Sequence, residues 1–186
     1  ELAESLAKSD SLISDFEFAD LRTGDIKKDS VLKEALLDSA LFYLNRATAL
    51  HKKHYIAYLN IGFISYIRKD YEKCEYWWNK ADTVFPRKNH PNFWKTYDVP
   101  LSQVFQMLGR QAGSKNDFPL AIKHLEKAVK YDANNSDMWT DLGGAYYTDK
   151  NYNKAYECWQ KAVLINPNNQ QAKKGLEAIQ ITPQTK

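Results

Sequence analysis

Two histidines near the end of a helical segment are the first residues whose spacing could support chemistry. His51 and His54 stand three positions apart, so their imidazoles would lie on one side of a helix. Such a pair can supply two ligands to a zinc ion, but a zinc site takes at least three ligands from the protein. No third ligand lies near them in the sequence. We therefore predict two solvated side chains and no metal site.

The cysteines and carboxylates do not form a catalytic set either. Cys74 and Cys158 lie far apart and belong to no CxxC pair, which predicts two buried thiols. Carboxylates are scattered over helical stretches, and the GxSxG, HExxH, Walker and GxGxxG motifs do not occur. We therefore expect no catalytic residue and no cofactor, and we predict that the chain is not an enzyme.

The charge balance argues against nucleic acid as a partner. The chain has 26 lysines and arginines against 23 aspartates and glutamates, which gives a net charge of +3. Its lysine-rich places are pairs, whereas proteins that bind nucleic acid carry a clustered basic face. The pairs are Lys27-Lys28, Lys52-Lys53 and Lys173-Lys174. No nucleic-acid partner is expected.

Membrane insertion of this segment is not expected, because no run of about 18 apolar residues occurs. A secretory signal is also missing from the sequence. The chain opens with Glu1 rather than methionine, which suggests a processed protein or a piece of a longer one. The sequence therefore leaves the cellular location open.

A pattern of large and small residues recurs three times. Each copy has four residues at i, i+3, i+4 and i+7, then three at i, i+4 and i+7, then a final position. The copies are Tyr58, Ile61, Gly62, Ser65, Cys74, Trp78, Ala81 and Pro86; Phe105, Leu108, Gly109, Ala112, Ala121, Leu125, Ala128 and Ala133; and Trp139, Leu142, Gly143, Tyr146, Ala155, Trp159, Ala162 and Pro167. The second and third copies are 34 residues apart, and the first and second are 47 apart.

The spacing of the third copy describes two helices that pack closely. Its first four residues share one face of an α-helix, and the next three share a face of a second helix. Small residues such as Gly143 and Ala155 let the two backbones approach, while aromatic side chains fill the space beside them. Pro167 ends the second helix because proline lacks an N–H group. A single hairpin cannot bury both of its apolar sides, so neighbouring hairpins are expected to stack.

These residues resemble the tetratricopeptide repeat (TPR) family over roughly residues 55–169. The third copy matches the family pattern at every position, and the other two depart from it at Ser65, Cys74, Ala112 and Ala133. The resemblance implies an all-α fold, a right-handed superhelical solenoid of antiparallel helix hairpins. We expect about eight helices, the last of which caps the stack.

The predicted organisation is one continuous solenoid with six parts. They are an N-terminal helical segment with a degenerate first repeat (1–54), a repeat (55–88), an aromatic insert (89–101), two further repeats (102–135 and 136–169), and a capping helix with a tail (170–186). The first repeat keeps its second helix, with Ala40, Leu44 and Ala47 in the expected positions. Residues 1–22 are expected to supply the missing first helix.

The resemblance also implies where a partner binds, since the first helices of TPR stacks line a concave groove. The residues at the groove positions that we select are Ile56, Leu59, Asn60, Phe63, Tyr66, Gln103, Gln106, Arg110, Thr140 and Tyr147. This groove is apolar toward the N-terminus and polar beyond it, and Arg110 is its lone positive group. The lysines and arginines with which some family members hold a terminal carboxylate are missing. Alternatively, the N-terminal segment covers Ile56, Leu59 and Phe63.

The insert is unusually aromatic for a loop. Phe93, Trp94 and Tyr97 either fold back against the solenoid or contact a partner, because tryptophan and tyrosine are enriched at binding hot spots. The predicted function is a scaffold that binds a peptide or protein segment. The alternative is a regulatory or assembly domain of a larger, membrane-bound bacterial enzyme such as a glycosyltransferase-like protein. The oligomeric state is not predicted.

Overall fold

The computed structural model describes residues 26–181, and all regular structure within them is helical. The nine helices of this range are α1 (Ile26–Leu50), α2 (Tyr55–Ile67), α3 (Tyr71–Val84), α4 (Pro91–Lys95), α5 (Asp98–Ser114), α6 (Phe118–Tyr131), α7 (Ser136–Thr148), α8 (Tyr152–Ile165) and α9 (Gln170–Ile181). The predicted all-α fold of helix hairpins is confirmed. The chain divides into two compact units, with the boundary between Pro91 and Asn92.

The first unit is built from α1, α2 and α3. Helices α2 and α3 form an antiparallel hairpin, and α1 packs against α2. Their common core joins Leu37 and Leu44 of α1 to Ile61 and Ile64 of α2, all at most 2% exposed. At the surface, Arg68 pairs with Glu34 and Asp38, at 2.8 and 2.6 Å, and so ties the end of α2 to α1.

The start of the first unit differs from a complete repeat. Helix α1 runs for 25 residues without a break, through positions at which a complete repeat would have its first helix and its turn. Ala40, Leu44 and Ala47 are buried in it, as expected for a second helix. The predicted role of residues 1–22 lies outside the described residues.

The second unit contains two hairpins, α5–α6 and α7–α8, and α9 packs against α8 and α7. The indole of Trp159 lies between Gly143 and Gly175, at both of which an added Cβ would overlap the ring. Its Nε1 donates to the carbonyl of Thr140 at 3.1 Å. Helix α9 therefore covers the last apolar face of this unit.

The repeated close approach of helices explains the glycine positions. In each hairpin a large side chain of the second helix lies over a glycine of the first, so that an added Cβ would overlap it. The pairs are Gly62 with Trp78, Gly109 with Leu125, and Gly143 with Trp159. A larger residue at any of these positions would have to displace the facing side chain or separate the two helices.

The turns inside the hairpins also repeat, although the sequence pattern did not include them. One residue of each turn has a positive φ, and the next caps the second helix by accepting a backbone N–H. The first of each pair is Lys69 (φ 58°), Asn116 (φ 61°) or Lys150 (φ 64°), and the caps are Asp70, Asp117 and Asn151. This shared geometry sets the angle at which the second helix returns along the first.

The insert is more helical than expected. Pro91–Lys95 forms the short helix α4, and α5 already begins at Asp98 rather than at Ser102. Trp94 is 1% exposed, and its ring lies 5.9 Å from that of Phe93 and 5.7 Å from that of Tyr97. The interior of the second unit therefore includes Trp94.

Candidate partner-binding surface

The outward face of α2 carries most of the residues predicted for the apolar end of the groove. Ile56 is 41% exposed, and Asn60, Phe63 and Tyr66 are half-buried. The Phe63 and Tyr66 rings stack with their centroids 6.4 Å apart. Ile56 and Phe63 are seven residues apart, which places them on one side of the helix, about 10 Å from each other. We call these two side chains the apolar strip.

Leu59 does not belong to this face. Its side chain is 2% exposed, and its carbonyl accepts a hydrogen bond from Nε1 of Trp78 at 3.0 Å. The position predicted to face a partner instead faces the neighbouring helices, so we exclude Leu59 from the candidate surface.

Helix α2 contains no charged residue in its 13 positions. A helix at a protein surface normally alternates an apolar stripe with a charged or polar one. The side of α2 that packs against α1 and α3 includes Ala57, Ile61 and Ile64, so its apolar character has a structural cause. Among the described residues of the first unit, 26–91, the exposure of Ile56 on the other side has no such cause.

The corresponding face of the second unit is polar and carries an ion pair. Nε of Arg110 and Nε2 of Gln106 both donate to Oδ2 of Asp141, each at 2.7 Å. The Arg110 side chain is 50% exposed, whereas that of Asp141 is 17% exposed. Arg110 is the one cation among the residues predicted for the groove, and Asp141 of α7 pairs with it. Gln103 is exposed on α5.

Thr140 lies inside the second unit rather than on a partner-facing surface. It is 4% exposed and accepts a hydrogen bond from Nδ2 of Asn169 at 2.9 Å. The same Nδ2 donates to Oγ of Ser136 at 2.7 Å, while the backbone N–H of Ala172 donates to Oδ1 of Asn169. This buried network joins the N-termini of α7 and α9, so we exclude Thr140 from the candidate surface.

The remaining predicted side chains are partly covered. The Tyr147 ring packs 5.3 Å from that of Tyr152 and 5.6 Å from that of Trp159. Phe93 and Tyr97 are half-buried, whereas the burial of Trp94 leaves it unable to meet a partner.

A cluster of cations at one end of the first unit was missed at the level of sequence. The Tyr55 ring stacks on Phe85 at 4.2 Å, and Phe85 stacks on His90 at 3.6 Å. Because these stacks hold the turn before α2 beside the turn after α3, the cations of the two segments lie at the same end of the first unit. We call this the basic end, and its members are Lys52, Lys53, Lys80, Arg87 and Lys88. Lys52 and Lys53 lie 35 residues before Arg87 and Lys88, so the sequence alone does not show that these four cations belong to one cluster.

One lysine of the basic end is also packed against rings. Nζ of Lys80 lies 4.8 Å from the ring centre of Tyr58 and 4.9 Å from that of Trp77. The same repeat positions place Lys127 over Phe105 at 4.6 Å and Lys161 over Trp139 at 4.4 Å. The recurrence indicates a cation–π contact that covers the aromatic residue at the same repeat position of each first helix.

The histidine and cysteine side chains that were considered for metal binding or catalysis take part in capping and packing. Nδ1 of His54 accepts the backbone N–H of Ala57 at 3.2 Å and so caps α2. Burial raises the pKa of the Cys158 thiol to about 11 and raises that of Cys74 further, which makes both poor nucleophiles at neutral pH. Burial, together with the hydrogen bond that Tyr146 donates to Glu126, also raises the pKa of the Tyr146 hydroxyl.

Within residues 26–181, no three histidine, cysteine, aspartate or glutamate side chains come together as metal ligands would. The same part of the chain has no helix with the length and apolar character that a membrane crossing demands.

Comparison with known proteins identifies the repeat. Residues 136–169 match the family model described as the tetratricopeptide repeat. The chain is 22% identical over 144 residues to a TPR repeat-containing protein of Methanocaldococcus jannaschii, which covers 76% of this chain and 24% of that protein. It is 29% identical over 86 residues to the chloroplastic tetratricopeptide repeat domain-containing protein PYG7 of Arabidopsis thaliana, which covers 46% of this chain and 29% of that one. The chain thus spans less than a third of either relative.

The fold also matches a solved structure of MamA from Desulfovibrio magneticus RS-1. The TM-score is 0.54 at 19% identity, and the match covers 94% of this chain and 84% of that one. A further MamA crystal structure gives a TM-score of 0.51 at 17% identity, with 83% of this chain and 82% of that chain covered. At this level of identity the likeness concerns the fold alone.

Proposed function

Because this chain is a tetratricopeptide repeat protein, we propose that it is an interaction scaffold that binds a segment of another protein along its first helices. The observation that carries the proposal is the apolar strip. A 13-residue helix without a single charge leaves Ile56 41% exposed, at a position where the second unit has the exposed carboxylate Asp137 or the exposed amide Gln103.

The strip is suited to an amphipathic or extended apolar segment. Exposed apolar side chains on one helix face are typical of interaction sites. Covering the Ile56 side chain completely would contribute roughly 1 kcal/mol to binding, since full burial of an isoleucine contributes about 1.5–3 kcal/mol. Phe63, which is stacked against Tyr66, offers a second and more rigid contact.

The polar face of the second unit is suited to hydrogen bonding rather than to apolar contact. Arg110 and Gln106 are held in place by Asp141, so a partner meets ordered side chains and loses little entropy in fixing them. We propose that this face contributes selectivity, because a partner lacking matching polar groups would leave the N–H groups that do not bond to Asp141 unpaired.

The experiment measures peptide binding to the full chain. Peptides selected from a random library are titrated against the wild-type protein and against Ile56→Asp, and amide resonances are followed by NMR. We expect Ile56→Asp to weaken binding at least tenfold, and the α2 resonances to shift on binding. Asp is tolerated near the start of a helix, so the fold should persist.

The matched control is Leu164→Asp, which changes a side chain that is 82% exposed on the second helix α8 of the other unit. This variant should bind as the wild type does. Equal losses from the two substitutions, or resonance shifts confined to α3, α6 and α8, would rule out the first helices as the binding surface.

A further inference from the structure

We propose that the segment bound by the first unit is acidic as well as apolar, and that its carboxylates lie on the basic end while its apolar side chains cover the strip. This inference rests on the proposed function, since it names the chemistry of the partner at the same surface. Two observations support this inference. The basic end has more cations than carboxylates, and it lies directly before Ile56, where the apolar strip begins.

The charge imbalance is local to the two turns that the stacked rings hold together. Residues 51–56 and 80–90 include five lysines and arginines and one carboxylate, Asp82. Asp82 is half-buried near the end of α3, and its Oδ1 accepts the backbone N–H of Arg87 in the turn that follows. Lys52, Lys53 and Lys88 are exposed. Among the described residues, a positive field therefore remains at this end of the unit.

The start of α2 adds to this field. The N-terminus of a helix carries a partial positive charge because its first N–H groups lack partners within the helix. No acidic residue occupies the first turn of α2, whereas Glu72 does so in α3, Asp98 in α5 and Asp137 in α7. Among the first helices of the three hairpins, α2, α5 and α7, the helix with the apolar strip is thus the one whose first turn has no carboxylate; the second helices α6 and α8 also have none.

The apolar strip begins where the basic end stops. Ile56 follows Lys53 by three residues, and Phe63 lies about 10 Å further along the helix. One segment can therefore reach both surfaces, with a carboxylate-rich stretch beside apolar residues spaced at i and i+7. A nucleic acid would match the cations but not the strip, because a phosphate backbone gains nothing from covering Ile56.

The test uses two synthetic 18-residue peptides with identical leucine positions, one carrying glutamates and the other lysines at its polar positions. Each is titrated against the full chain by fluorescence anisotropy in 50 mM and 500 mM NaCl. We expect the glutamate peptide to bind roughly tenfold more tightly at low salt, and the difference to shrink at high salt. Lys53→Glu combined with Lys88→Glu should abolish the preference.

The matched control is Lys123→Glu combined with Lys173→Glu, which changes the net charge equally but alters exposed lysines of the second unit. This variant should keep the preference for the glutamate peptide. Loss of the preference in the control as well would show that net charge alone governs binding, and the basic end would then have no special role.

The remaining outcomes separate this inference from the proposed function. If both peptides bind equally and Ile56→Asp still abolishes binding, the strip is a binding surface but the acidic partner is wrong. If neither peptide binds while library-selected peptides still bind through Ile56, the inference fails and the proposed function stands. A 20-nucleotide single-stranded DNA that binds more tightly than the glutamate peptide, and loses affinity in the Lys53 and Lys88 variant, would overturn the inference in favour of nucleic acid.

Discussion

The indole of Trp159 closes over the backbone of Gly143, where an added Cβ would lie 2.5 Å from Cδ1 of the ring. This distance is far shorter than van der Waals contact, so any side chain at residue 143 must displace the indole or push α7 and α8 apart. We therefore expect substitution of Gly143 to lower the free energy of unfolding.

Gly143→Ala should destabilise the protein by roughly 1–3 kcal/mol, because the extra methyl overpacks the hairpin. The neighbouring Gly144→Ala should do the opposite. No atom lies within 4 Å of an added Cβ there, and alanine is favoured over glycine in a helix interior by about 1 kcal/mol. Urea denaturation followed by circular dichroism measures both. Equal effects of the two substitutions would contradict the packing described for Gly143.

Removal of the Asn169 side chain should break the buried network at the base of α9. Asn169→Ala leaves Ser136 and Thr140 without the donor that now reaches their hydroxyl oxygens at 2.7 and 2.9 Å. The expected loss of stability is about 1–3 kcal/mol, since buried polar groups are costly to leave unsatisfied. Asn168→Ala alters an exposed neighbour and should cost less than about 0.5 kcal/mol. Hydrogen exchange in α9 should quicken in the first variant alone.

Loss of the cap at His54 should destabilise α2. His54→Ala removes the acceptor for the Ala57 N–H and should cost about 1 kcal/mol. His54→Asn supplies another capping acceptor and should retain most of the stability. The comparison of the two denaturation midpoints is the measurement, and a larger loss with asparagine than with alanine would argue against a capping role.

Burial of the thiols should make the free energy of unfolding depend on pH. Cys158 has a pKa raised to about 11 by burial, against an ordinary thiol value of about 8.5. The folded protein therefore holds a proton that the unfolded chain releases, so the thiol's contribution to the free energy of unfolding falls as the pH rises from about 8.5 toward 11. Cys158→Ala should lose less stability than the wild type over this range. Parallel stability curves for the two proteins would contradict the raised pKa.

Thiol labelling provides an independent check of the same feature. At pH 8 a disulfide reagent should modify neither Cys74 nor Cys158 within minutes in the folded protein, and both in 6 M guanidinium chloride. Rapid labelling of the folded protein would show that at least one thiol is accessible.

The hairpins could be predicted because close packing restricts which residue types can stand at the contact positions. Where two helices approach closely, one position must be glycine and the facing one large, and the pairs at Gly62 and Gly143 were visible for that reason. The long first helix and the early start of α5 at Asp98 were harder to predict, because helix ends depend on local caps and neighbours. The alternative that this chain serves a larger bacterial enzyme stays a prediction.

The candidate surface could be predicted only in outline. Leu59 and Thr140 occupy the same repeat position as Gln106, yet two of the three are buried and one is half-buried. Their exposure depends on how neighbouring helices cover that position, which a repeat register does not specify. Likewise, the bond between Arg110 and Asp141 joins residues 31 positions apart on different hairpins. The basic end depends on ring stacking that no local pattern reveals.

The placement of Trp159 between two glycines has a consequence for where this protein can be shortened. The family match ends at Asn169, which invites truncation at that residue. Such a cut would remove Gly175 and with it one wall around the indole, and would place Asn169 at a charged chain end. A fragment ending there would present a large aromatic surface to water and tend to aggregate. A shortened chain that keeps α9 through Ile181 should remain monodisperse at concentrations where the truncated one precipitates.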